Sequence, residues 1–163
     1  MSRYFVRPLV ITALTSLVLL ARPASASADI TAFYGFSPTV DTRSAKGVAV
    51  GMASMLFGAE FEYSQVSEST ADLAPGLKTY MGQGMLITPG RKAQLYLTAG
   101  VGRYNETFSG TEVSGTATSF GAGIKWRLAG PIKLRADYRT FSLQGTPVSN
   151  KPKRIYVGLA IGR

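Results

Sequence analysis

Glu60 and Glu62 stand two residues apart in the segment Phe57-Gly58-Ala59-Glu60-Phe61-Glu62-Tyr63, and a carboxylate pair is the first place to look for chemistry. Two such groups can divide acid and base roles when their surroundings push their proton affinities apart. In a strand, however, residues i and i+2 lie roughly 6–7 Å apart on one face. Here that face points into a packed interior with no substrate path, which favours ion pairing over catalysis. The chain has no histidine and no cysteine. Ser-His-acid triads, His-based proton transfer, His or Cys metal sites and disulfides are therefore excluded. Asp and Glu are thinly spread, so neither a metal nor a cofactor is expected. Gly-x-Gly pairs at 82/84, 100/102 and 121/123 share the spacing of phosphate loops, yet no helix follows them and their period is two, which fits close packing in a sheet. Asn105-Glu106-Thr107 fits a glycosylation sequon by chance alone.

The elements that must position these residues are strands. In Ile132-Lys133-Leu134-Arg135-Ala136-Asp137-Tyr138-Arg139, apolar and ionic residues alternate strictly, so one face carries Ile132, Leu134, Ala136 and Tyr138 and the other only charges. Phe57, Ala59, Phe61 and Tyr63 oppose Gly58, Glu60 and Glu62 in the same way. Phe120, Ala122, Ile124, Trp126 and Leu128 oppose Gly121, Gly123, Lys125 and Arg127. A soluble sandwich strand has a mixed polar face and an apolar face turned to a core. A purely ionic face interspersed with Gly and Ala indicates instead a closed sheet with lipid outside and a charged, packed interior.

Eight extended segments are expected, at residues 30–36, 46–54, 56–65, 77–87, 93–104, 116–128, 132–141 and 154–162, and no helix. Their connections alternate in length. Residues 37–45, 66–76, 105–115 and 142–153 are long and rich in Ser, Thr, Gly and Pro, whereas the links around Met55, 88–92 and 129–131 are short, with Pro-Gly or Gly-Pro turn chemistry. Long loops at one end and short turns at the other is the layout of a transmembrane barrel. Segment 77–87 does not sort: one register puts Gln83 on lipid, the other Leu86 inside, and a bulge is needed to reconcile them. Gly and Ala on one inner wall are expected to make room for Arg, Lys and Tyr arriving from the opposite wall.

The N-terminus reads as a secretory signal. Arg3 and Arg7 lead an apolar run from Leu9 to Ala21, too short to span a bilayer, and Ala24-Ser25-Ala26-Ser27-Ala28 offers small-residue cleavage sites. Cleavage after Ala28 divides the chain into a leader, 1–28, and a barrel, 29–163. Of 18 Lys+Arg, three lie in the leader, leaving 15 against 9 Asp+Glu, net +6. These bases are scattered at alternate positions and form no nucleic-acid-binding block.

The signal segment, the eight alternating segments and the inner-face ions of residues 57–63, 125–127 and 133–139 make the chain resemble the small eight-stranded outer-membrane barrels of the OmpA/OmpX type. The resemblance implies an all-β, antiparallel, up-and-down transmembrane barrel in a bacterial outer membrane, inserted by the barrel insertion machinery and monomeric. It also implies an interior salt-bridge network and a structural or surface-interaction role through outer loops. Such barrels often end in an aromatic residue, whereas this sequence ends Ala160-Ile161-Gly162-Arg163. Outer-membrane lipid A deacylases, acyltransferases and barrel proteases use His-containing sites, for which this chain has no base.

Within this frame Glu60, Glu62, Lys125, Arg135 and Asp137 are expected to pair across the lumen at mid-depth, closing it to large pores. Arg127 and Lys133 beside the 129–131 turn, and Arg139 and Arg154 toward the outer end, are expected to be rim charges that reach water. Tyr63, Tyr104, Trp126 and Tyr138 are expected to form interfacial girdles. The competing reading is a secreted or periplasmic lipocalin-like barrel with an apolar face turned inward around a small hydrophobic ligand.

Overall fold

The computed structural model describes residues 27–39, 42–69, 74–147 and 149–162. The leader expected at 1–28 falls outside these residues up to position 26, while Ser27 and Ala28 belong to the first strand. Eight strands follow one another: β1 (Ser27–Ser37), β2 (Arg43–Ser54), β3 (Phe57–Val66), β4 (Gly76–Ile87), β5 (Ala93–Phe108), β6 (Thr111–Ala129), β7 (Ile132–Leu143) and β8 (Lys153–Gly162). Each pairs antiparallel with the next, and β1 pairs with β8 from Asp29↔Gly162 to Phe36↔Ile155, so the sheet closes into a barrel without edges.

The alternation of the sequence is carried out side chain by side chain. Ile30, Val50, Phe57, Leu95, Trp126 and Leu159 are each more than half exposed, while Glu62, Arg135 and Arg139 are fully buried. That inversion of an aqueous protein is stable only where lipid covers the outside. It also removes the lipocalin-like reading, which needs the apolar face inward.

The short turns lie at one end. Gly130 has φ +52° and is followed by Pro131, the Gly-first geometry of a hairpin turn matched to strand twist. At the other end the expected long loop 105–115 is not a loop. β5 and β6 run on, paired from Tyr104↔Gly115 to Phe108↔Thr111, and turn on Ser109 (φ +48°) and Gly110 (φ +82°). Two successive left-handed residues make a tight hairpin turn. A strand pair in water on both faces is as polar as a loop, which is why composition concealed it.

The unresolved register of residues 77–87 is also settled without a bulge. Gln83 and Leu86 have opposite parity, so a regular β4 places Gln83 inside and Leu86 outside together. The cost is that Leu77, Met81, Met85 and Ile87 turn inward, where the lumen receives them in two apolar clusters. Toward the loops Ala45, Val66, Leu77, Met81, Tyr104, Ala117, Phe141 and Leu143 pack together. Toward the short turns Met85, Ile87 and Tyr96 form a smaller cluster with Ala53.

Inner glycines do make room, but for cross-strand neighbours rather than for the far wall. Gly121 faces Arg139 and Gly158 faces Phe33, each its own register partner. A Cβ at Gly121 would come within 3.2 Å of Arg139 Cγ, and one at Gly158 within 2.8 Å of Phe33 Cβ.

Candidate functional site

Between the two apolar clusters lies an ionic layer built from opposite walls. β3 supplies Glu60 and Glu62, β7 supplies Arg135, Asp137 and Arg139, and β8 supplies Arg154. Because each strand contributes alternate residues, every one of these side chains points inward in a single register. The Arg135 guanidinium donates to both Glu60 oxygens, through Nη1 to Oε2 and through Nη2 to Oε1 at 3.0 Å. Arg139 Nη1 donates to Glu62 Oε2 at 2.6 Å, and Arg154 Nη2 to Glu62 Oε1 at 2.5 Å.

Asp137 is the hub. Its Oδ2 accepts from Tyr96 Oη at 2.5 Å, Arg139 Nη2 at 2.9 Å and Arg135 Nη2 at 3.2 Å. Tyr96 Oη in turn accepts from Arg135 Nε at 2.7 Å. Arg154 Nη1 donates to Ser64 Oγ, which is 2.7 Å from Thr79 Oγ1. Aromatic faces complete the solvation. Arg154 lies 4.9 Å from the Phe33 ring, 5.0 Å from Phe141 and 5.1 Å from Tyr156, and Arg135 lies 4.8 Å from Tyr96. Planar guanidinium groups can donate in plane and stack at the same time, which lysine cannot do. Three acids against three arginines leave the layer neutral, the condition under which burying six charges is tolerable.

The expected lumen group is thus brought together except for Lys125. Its Nζ lies 2.8 Å from Asp29 Oδ2, below the arginine layer, with Lys133 Nζ at 3.6 Å from the same oxygen. Asp29 is a counter-ion outside the segment expected from the sequence, which begins at Ile30. Its odd parity, shared with Thr31 and Phe33, was the available signal.

Three of the four expected rim charges do not reach water. Arg139 is fully buried and Arg154 is 2 % exposed, because the apolar cluster of Phe141, Leu143 and Tyr104 closes the lumen above them. Lys133 is also buried, against Asp29, and Arg127 is exposed at the turn end. Tyr104 is corrected as well: it is fully buried inside the barrel, donating from Oη to the Gln144 carbonyl at 2.9 Å. Trp126 and Tyr138 do face outward, and half-buried Tyr63 lies against Tyr80 with ring centroids 5.0 Å apart. Each carboxylate is paired with at least one arginine, and Asp137 Oδ1 is the one carboxylate oxygen of the layer without a hydrogen-bond partner.

Comparison with known proteins agrees with this architecture. The β-barrel domain of Pseudomonas aeruginosa OprF superposes with a TM-score of 0.64 at 17 % identity, covering 84 % of this chain and 97 % of that one. Neisserial surface protein A (NspA) gives 0.62 at 12 % identity, with 83 % and 94 % covered. The outer-membrane enzyme PagL gives 0.54 at 11 % identity, with 82 % and 98 % covered. At such identities the likeness is one of fold. No curated protein sequence matches the chain. The family model described as outer membrane protein beta-barrel domain matches residues 13–161. Lipid-facing apolar strands, eightfold closure and this match together establish that the chain belongs to that family, as a bacterial outer-membrane β-barrel.

Proposed function

We propose that the protein is a non-enzymatic barrel with a structural or surface-interaction role and a lumen closed to large solutes. The observation that carries this reading is the Glu60/Glu62/Asp137–Arg135/Arg139/Arg154 layer spanning the lumen from β3 to β7 and β8. A water path would have to displace six mutually paired charges and the apolar clusters on either side. The fold is shared with PagL, an enzyme, so fold alone does not decide. Support for a non-enzymatic role comes from the absence of histidine and from the pairing of each lumen carboxylate with at least one arginine. The projecting β5–β6 hairpin supports a surface role, since it offers polar side chains beyond the point where β7 ends.

In this reading the leader, 1–28, is removed on export, and the barrel is inserted by the cellular insertion machinery and works as a monomer. Planar bilayers test the central claim. Purified mature protein should give no steady nanosiemens-scale openings, and stable channels of that size would defeat the reading.

A further inference from the structure

Charges on the outside of the barrel are few and sorted. Among the described residues, outward strand positions carry Lys46 on β2, Lys78 on β4, Arg103 on β5 and Lys153 on β8, all exposed and all toward the loop end. Glu112, the outward carboxylate, stands farther out on the β5–β6 hairpin. Lys46, Lys78 and Arg103 take part in no ion pair among the described residues, whereas the lumen bases are paired.

Three of these bases share one wall. Lys46 is opposite Gln65, which is opposite Lys78, and Arg103 is opposite Tyr80, two residues below Lys78. Lys78 and Arg103 are diagonal neighbours on adjacent strands, roughly 7–8 Å apart and within reach of one anion, while Lys46 lies two strand spacings, roughly 10 Å, from Lys78. Level with Arg103 and one step below the two lysines lies the Tyr63–Tyr80 ring pair, and below that a shallow apolar groove walled by Phe57, Leu86, Leu97 and Phe120 with Gly84 and Ala99 as its floor. Ala59, Gly84 and Ala99 stand side by side across three strands. Strand packing does not demand glycine here. A Cβ at Gly82 or Gly84 would meet nothing nearer than 3.8 or 3.9 Å, whereas one at inward-facing Gly100 or Gly102 would press within 2.7 or 2.8 Å of Gln83 or Met81 side-chain atoms.

We propose that this wall holds one phosphate-bearing lipid of the outer leaflet, its phosphate between Lys78 and Arg103 with Lys46 in reach, and an acyl chain over Gly82 and Gly84. Charge complementarity selects the occupant. The lysines, then Arg103 level with the tyrosines, then the apolar groove follow one another down the wall in the order of a lipid's headgroup, interface and tail. The nearby Glu68 carboxylate is turned to the Ser109 amide at 3.1 Å. Lys153, on the opposite wall, has bulky Ile155, Val157 and Leu159 below it in place of the glycines of β4.

The test uses the mature barrel in vesicles of a phosphate-free galactolipid doped with lipid A or with the same lipid stripped of its phosphates. Retained lipid is counted by native mass spectrometry after mild detergent extraction. Wild type should retain the phosphorylated lipid and release the stripped one. Lys78→Gln with Arg103→Gln should lower retention about thirtyfold. Gly84→Leu, with all charges kept, should weaken it several-fold, and Lys153→Gln should leave it unchanged. Heat-modifiable gel mobility identifies folded variants, and Lys78→Arg serves if the Gln pair does not fold; it should bind like wild type. Equal retention by the charge variants, an equal loss with Lys153→Gln, or full displacement by inorganic phosphate would overturn the proposal. So would a second copy of the barrel held in the lipid's place.

Discussion

The middle of the lumen and its turn-side mouth solve the same problem, buried charge, in different ways. In the middle, three arginines meet three carboxylates and every carboxylate is shared or doubly bonded. At the mouth, one carboxylate, Asp29, faces two lysines, and a small depression lined by Gln94, Lys125 and Lys133 opens beside it. The difference teaches that guanidinium groups are used where water cannot help and ammonium groups where it can. An ammonium is a strongly hydrated point charge, and its surplus is tolerable only near solvent.

Breaking the middle should therefore cost most. Arg135→Leu strands Glu60 and weakens Asp137, and should destabilise by about 3–5 kcal/mol, read as a shift of the urea midpoint for unfolding from vesicles. Arg139→Leu should cost nearly as much, since it serves Glu62 and Asp137 from a fully buried position. A much milder Arg139→Leu would mean that water reaches this layer after all. Outside, Val157→Arg puts a charge on the lipid face mid-strand and should cost about 2–4 kcal/mol, checked by the same titration. At the mouth, Lys125→Met should cost only about 1–2 kcal/mol, because Lys133 and solvent remain for Asp29. If Lys125→Met equals Arg135→Leu, the two regions do not differ as described.

The facing of β3, β6 and β7 was legible because an inner ionic and an outer apolar series is hard to produce by accident. Closure followed from count and parity. Depth was not legible. Arg139 and Arg154 were placed near water by counting residues along single strands, but depth depends on what neighbouring strands stack above, here Phe141, Leu143 and Tyr104. Tyr104 was misplaced for the same reason, as its parity with Tyr96 already pointed inward. β4 looked irregular only because an ionic lumen was assumed throughout, whereas Leu77, Met81, Met85 and Ile87 belong to apolar clusters at its two ends. Asp29 lies one residue before the expected start of its strand, where small leader-like residues hide the alternation.

The partners in the ionic layer come from β3 on one side and from β7 and β8 on the other, separated by 75 residues between Glu60 and Arg135 and by 92 between Glu62 and Arg154. They are not neighbours in the sheet, so they meet only once the last strand has found the first. Interactions absent from the transition state slow unfolding and leave the folding rate almost untouched. Substitutions in the arginine layer should accordingly act on the lifetime of the closed barrel in the membrane, and the layer is best understood as a latch that engages after assembly has finished.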